Sequence, residues 1–219
     1  MSERISLINP SDEQFSEAIE IALRYLRSGE VIIAAAEHGY VYLANAFDRD
    51  AVNAIQILRA NPAAITLQVL VCDKKMASGV STAWTVQQEN LLDKFWPGLL
   101  SVTVKAQPGL TWNLGDDRRL GKVNLRVPSR KFISSLLEQS GPLATSSAAL
   151  VGKPTILDLK TLNIYESDVG AMFDEGVLPA GPLSTWVEFS ENVITLQRAG
   201  AIPIDQLQEV VPTISVQTL

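Results

Sequence analysis

Two apolar segments, Val31–Ala35 and Tyr40–Ala44, are separated by only a few residues, and that spacing restricts the fold more than any other feature of the chain. Both read as short strands. They flank Glu37-His38-Gly39, a stretch suited to a turn or a site loop, and a link this brief leaves no room for the crossover of a dozen or more residues that a purely parallel sheet requires. The clearest helix precedes them over 12–28. Ser11 and Gln14 form a capping box, Phe15, Ala18, Ile19, Ala22, Leu23 and Leu26 recur at helical spacing, and Gly29 sits just past the end. Asp48 or Asp50 starts a helix through about Ala60. Thr66–Cys72 reads as a buried strand, Thr82–Phe95 as an amphipathic helix, and Leu100–Ala106 and Val123–Val127 as strands with alternating faces. Arg130–Gln139 then reads as a helix, Leu143–Ser147 as a strand, Ser184–Phe189 with Val193–Arg198 as a β pair, and Asp205–Val211 as a closing helix. Helices interspersed with strands, some joined too briefly for a crossover, give an α/β fold on a mixed sheet.

The 219 residues are 47% apolar and 19% charged, enough to bury roughly 70–75% of the unfolded surface. Without an internal repeat or a long linker, residues 1–219 read as one domain. No apolar run reaches the roughly 18 residues that span a bilayer, and the first residues lack a secretory pattern, so the expected location is the cytoplasm, away from any membrane. One cysteine, Cys72, permits no internal disulfide and reads as a buried, inert thiol. One histidine, His38, cannot supply a zinc cluster, so no metal site is expected.

The net charge of −6 is unevenly spread: residues 1–93 sum to −5, 94–153 to +6 and 154–219 to −7. A basic middle in an acidic chain is either a solvated positive face or a focused anion site for phosphates. Phosphate-binding glycine loops, a nucleophile elbow and a second histidine are all missing from the sequence. A nucleotide would therefore be held by dispersed arginines, hydroxyls and backbone amides.

Four stretches point further. Phe95-Trp96-Pro97-Gly98-Leu99-Leu100-Ser101, Val123-Asn124-Leu125-Arg126-Val127-Pro128, Thr145-Ser146-Ser147-Ala148-Ala149-Leu150-Val151-Gly152 with Pro154, and Ser184-Thr185-Trp186-Val187-Glu188 followed by Arg198-Ala199-Gly200-Ala201-Ile202 resemble in order the landmarks FWPGPLT, V-x-V-R-x-P, S-T-S-A-N-x-S-G-x-P, and S-T-V-x-D with R-x-G-A-I. These belong to the YrdC-like threonylcarbamoyl-adenylate synthases, and the resemblance spans about residues 15–203. It implies a twisted mixed sheet with flanking helices and a concave cavity. It also implies condensation of L-threonine, bicarbonate and ATP into threonylcarbamoyl-AMP and pyrophosphate, for modification of a tRNA adenosine beside the anticodon. ATP enters as a substrate, with magnesium, and no tightly bound cofactor is implied. By resemblance, Arg59 and Ser147 are the catalytic positions, and Arg126, Thr145, Ser147, Ser184, Arg198 and His38 contact nucleotide or threonine.

The departures are informative too. The P-T-x-T-V-Y-G-L landmark is here Ala35-Ala36-Glu37-His38-Gly39-Tyr40-Val41-Tyr42, and K-x-R-P is Arg59-Ala60-Asn61-Pro62. Ala149 and Val151 replace an asparagine and a serine. This implies a partly degenerate site, and the alternative function is an inactive paralogue binding a nucleotide, RNA or a protein. RNA binding is favoured by the +6 segment and opposed by the acidic remainder. His38 offers a general base with Glu37 orienting its ring, or else a ligand contact or ordinary turn residue. Each of Trp84, Trp96, Trp112 and Trp186 reads as an adenine-stacking ring or as packing.

Overall fold

The structure is a computed structural model that describes residues 2–62, 65–117, 121–191 and 193–216. Its strands are β1 (Glu3–Ser6), β2 (Ile32–Ala36), β3 (Gly39–Asn45), β4 (Gln68–Leu70), β5 (Leu100–Lys105), β6 (Lys122–Arg126), β7 (Leu143–Ser147), β8 (Ala171–Asp174), β9 (Thr185–Ser190), β10 (Val193–Arg198) and β11 (Ser215–Val216). Its helices are α1 (Asp12–Arg27), α2 (Arg49–Leu58), α3 (Lys74–Val80), α4 (Val86–Phe95), α5 (Lys131–Ser140) and α6 (Ile204–Val210).

All the strands join one sheet in the order β1-β8-β2-β3-β7-β4-β6-β5-β9-β10-β11. The sheet is mixed. β2–β3, β3–β7, β4–β7, β5–β6 and β9–β10 are antiparallel, and β1–β8, β2–β8, β4–β6, β5–β9 and β10–β11 are parallel. The close spacing at 36–39 resolves into a hairpin in which Ala36 pairs with Gly39 around Glu37-His38.

Capping fixes the helices where the sequence placed it. Ser11 N–H donates to Gln14 Oε1 at 2.9 Å and Gln14 N–H to Ser11 Oγ at 3.2 Å, closing the box that opens α1. Asp48 caps α2 by accepting from the N–H groups of Asp50 and Ala51. The helix expected over Thr82–Phe95 is shorter. Thr85 and Gln88 make a second capping box, so α4 begins at Val86; residues 82–85 are in neither helix, and a separate helix α3, capped by Asp73, ends before them at Val80. The strand expected over Thr66–Cys72 pairs only across Gln68–Leu70. β1 and β8 were not foreseen, since each has only four residues, too few to show a period.

One face of the sheet carries Ile33, Ala35, Tyr40, Tyr42, Val69, Val102, Leu125 and Val187, packed with α2 and with Leu91 and Leu92 of α4. On the opposite face α1 and α5 cover Ile32, Ala34, Leu43, Leu70, Leu143 and Phe173. Strand alternation continues that second face into polar residues. Gln68 lies two residues from Leu70, Thr145 two from Leu143, and in-register neighbours carry the face across Asn124, Thr103 and Glu188. There the sheet forms the floor of a cavity.

Candidate functional site

The cavity has a volume of about 860 Å3. Its floor is a connected hydrogen-bond network. Gln68 Nε2 donates to Ser101 Oγ at 2.8 Å and to Asn124 Oδ1; Asn124 Nδ2 donates to Thr103 Oγ1 at 3.1 Å, as does Trp186 Nε1 at 2.8 Å. Ser101 Oγ and Ser184 Oγ lie 2.8 Å apart, and Arg198 Nη2 donates to Ser184 O at 3.0 Å and Oγ at 3.2 Å. Ser101 and Thr103 are buried. Every group in such a network must be satisfied, which holds the floor rigid.

The walls supply charge. Arg126, at the end of β6, is 6% exposed and donates Nη1 to Glu37 Oε2 at 2.7 Å, while its Nε is buried without a protein partner. Glu37 Oε1 accepts from Ser129 N–H at 2.9 Å and from Ser129 Oγ at 3.2 Å. Burial pushes the Glu37 carboxyl up, but the Arg126 guanidinium and the Ser129 N–H outweigh it and hold the carboxyl below its ordinary value. Across the cavity, Lys122 pairs with Glu188. The charged lining is Arg59, Lys122, Arg126, Lys153 and Arg198 against Glu37 and Glu188, a net cationic surface.

All seven residues singled out from the sequence, His38, Arg59, Arg126, Thr145, Ser147, Ser184 and Arg198, line this one cavity. They arrive from different elements: the β2–β3 turn, the end of α2, β6, β7, the approach to β9, and β10. The recognised stretches also touch. Gly98 N–H donates to Val127 O at 2.8 Å, Ala201 N–H to Leu183 O at 2.8 Å, and Ile202 N–H to Thr185 Oγ1 at 2.8 Å. Gly200 permits the close approach of Ala201 to Leu183, because a Cβ there would lie 2.5 Å from Leu183 O.

The contacts refine the expected roles. Arg59 Nη1 donates to Ser147 O at 2.6 Å and to Ala149 O at 2.8 Å, and Arg59 O accepts Val151 N–H at 2.8 Å. Arg59 thus holds the Ser147–Val151 turn, and burial lowers its pKa. Ser147 Oγ accepts from Thr155 Oγ1 at 3.2 Å. Thr145 is the most enclosed member, its hydroxyl donating to Tyr42 O at 3.0 Å. Glu37 does not orient His38: its carboxylate serves Arg126 and Ser129, while His38 Nδ1 lies 3.2 Å from Pro179 O and its ring abuts Gly181. Asn61 lies outside this cavity, donates to Gln56 Oε1, and lines a separate depression of about 550 Å3. Cys72 is half-buried, not fully enclosed, and burial and then Asp73 push its thiol pKa up.

Gln68, Ser101, Thr103, Lys122, Asn124, Lys153 and Thr155 line the site without having been foreseen. For Ser101, Thr103, Lys122 and Asn124 the signal was present as polar residues at every second position of a strand, Ser101-x-Thr103 and Lys122-x-Asn124-x-Arg126. Among the described residues, no group of three or more His, Cys, Asp or Glu side chains is arranged to hold a metal, and no helix is long and apolar enough to cross a membrane.

The family model described as "Telomere recombination", covering Sua5, YciO and YrdC, matches residues 24–200. The chain is 31% identical over 199 residues to a protein of Mycobacterium leprae, covering 90% of each, and 30% identical over 215 residues to one of Mycobacterium tuberculosis, covering 96% of this chain and 95% of that one. Both carry the name "Putative threonylcarbamoyl-AMP synthase". Among solved structures, P. abyssi Sua5 complexed with L-threonine superposes with a TM-score of 0.85 at 23% identity, covering 99% of this chain and 62% of that one. That likeness shows the fold, a mixed sheet with flanking helices. Together with a match over most of the sequence, it establishes that the chain belongs to the Sua5/YciO/YrdC family.

Proposed function

We propose that this chain is a threonylcarbamoyl-AMP synthase and that the floor-and-wall cavity is its active site. One observation carries the reading: a single cavity gathers Arg59, Arg126, Lys153 and Arg198 beside the hydroxyls of Thr145, Ser147 and Ser184. The names of the mycobacterial relatives and the L-threonine complex of P. abyssi Sua5 support it.

In the proposed reaction the amine of L-threonine takes up bicarbonate, forming a carbamate with loss of water. A carbamate oxygen then attacks the α-phosphorus of ATP and expels pyrophosphate. Both reactants are anionic, so the site must offset their repulsion and align them. Arg126, fixed by Glu37, and Arg198, fixed over Ser184, offer oriented donors to phosphate or carboxylate. Arg59 acts through the Ser147–Ala149 turn, presenting Ser147 Oγ toward the reactants, with Thr155 holding that hydroxyl. Magnesium arrives on the triphosphate as part of the substrate. The product then serves modification of a tRNA adenosine, and the compartment is the cytoplasm.

The test is pyrophosphate release by the purified chain with L-threonine, bicarbonate and ATP, together with transfer of labelled bicarbonate into threonylcarbamoyl-AMP. Release that requires all three substrates is expected. ATP binding without release, or release independent of threonine, overturns the assignment.

A further inference from the structure

We infer that Trp186 is a platform on which a nucleobase stacks, an assignment that rests on the proposed reading of the cavity as a nucleotide site. Trp186 is the only indole, phenyl or phenol ring among the described residues that line the cavity. Its neighbours on the floor, Gln68, Ser101, Thr103 and Asn124, are all small or amide polar groups.

The ring's attitude follows from its hydrogen bond. On β9, Trp186 lies in register with Ser101 of β5, whereas Nε1 donates at 2.8 Å to Thr103, two residues further along β5. Reaching that hydroxyl draws the indole diagonally over the neighbouring strand, so the ring leans along the floor. The residue is half-buried. With its one polar atom already satisfied, what it offers a ligand is aromatic surface.

Such a surface is of little use to a phosphate, a carboxylate or the small side chain of threonine. A planar heteroaromatic base uses it fully, since base–aromatic stacking needs only a π face. Thr103 is held in turn by Asn124, and Asn124 by Gln68, so the platform is set before the ligand arrives and little freedom is lost on binding. The cationic groups that would take the phosphates lie on the walls of the same cavity. Trp186 stands at the third position of the stretch that resembles S-T-V-x-D, and its ring is a candidate determinant of this chain's affinity for the base.

The experiment is a tryptophan-fluorescence titration of the full chain with adenosine, ATP and inorganic triphosphate, with calorimetry as an independent measure of binding. Adenosine and ATP should quench the emission and triphosphate should not. Trp186→Val should lose most of the quench and bind ATP and adenosine roughly ten- to a hundredfold more weakly, with triphosphate and L-threonine affinities unchanged. Trp186→Phe, which keeps a ring, should fall between. Melting curves establish that each variant is folded, and if the valine variant is not, the phenylalanine variant and the native titration decide. Native ATP affinity in a folded Trp186 variant, or ATP binding to the native chain without quenching, overturns the platform while leaving the synthase reading intact. No binding of ATP or adenosine by the native chain removes both.

Discussion

Glu37 shows how one residue can serve both stability and chemistry. It is the buried counter-charge of Arg126, with side chains 11% and 7% exposed, and removing one partner of such a pair leaves the other uncompensated. Glu37→Ala should cost on the order of 3 kcal/mol of stability, and Glu37→Gln less, because its amide oxygen can still accept from Ser129. Urea denaturation checks both. The pH dependence has a definite sign: the folded carboxyl is held below its ordinary value of 4.5, so its stabilising contribution is complete above that value and is lost as pH falls through the lower folded pKa. The stability gap between the native chain and Glu37→Gln should therefore close on acidification, and a gap that widens would contradict the ion-pair account. At this scale the sequence was legible where a landmark carried a residue, as for Arg126 and Ser147. The pairing of Glu37 with Arg126, 89 residues away, was not, because it depends on β6 lying near the β2–β3 turn.

The hairpin formed by β2 and β3 delivers Glu37 and His38 to the cavity, and Gly39 is the residue that permits it. Its φ of +149° is one that side chains resist, and an added Cβ would collide with Thr155 Cγ2 and lie 3.2 Å from Ile156 O. Tyr40 N–H donates to that same Ile156 carbonyl at 3.0 Å, so the hairpin and the 154–156 segment move together. Gly39→Ala should cost about 1–3 kcal/mol and should also lower turnover, since shifting Thr155 removes the hydrogen bond to Ser147. Thermal melting and pyrophosphate release measure the two effects, and a variant destabilised by that amount but fully active would show that Thr155 does not position Ser147. Element boundaries were readable where caps and periods agreed, as in α1, and where polar and apolar residues alternated, as in β5 and β6. They failed at α3, whose seven residues include Ser78 and Gly79, both poor helix formers. They failed again at β8, which is fixed by parallel pairing with β1 and β2 from opposite sides, a relation that no local pattern encodes.

Across the whole molecule, charge is sorted by place more than by sequence segment. The basic stretch 94–153 contributes Lys122, Arg126 and Lys153 to the cavity, yet Arg59 and Arg198 come from the two acidic segments. The linear pattern thus marked the kind of site while missing part of its wall, because strands distant in sequence are neighbours in the sheet. The outcome is a cationic cavity in a chain of net charge −6. A compact anion that enters the cavity meets the local positive field, whereas a long polyanion must also cross the acidic exterior. Screening acts over about 10 Å at 0.1 M salt and about 3 Å at 1 M, so the pull on a triphosphate should weaken as salt rises. ATP affinity should fall roughly tenfold between about 50 and 500 mM salt, a response expected from the release of a few ionic contacts. L-Threonine, a zwitterion of zero net charge, should respond much less, and RNA should bind weakly at physiological salt. Calorimetric titrations at several salt concentrations test all three together. An ATP affinity that ignores salt would mean that the cavity's arginines and lysines do not bear on the phosphates, and parallel losses for ATP and threonine would point to a general weakening of the fold instead.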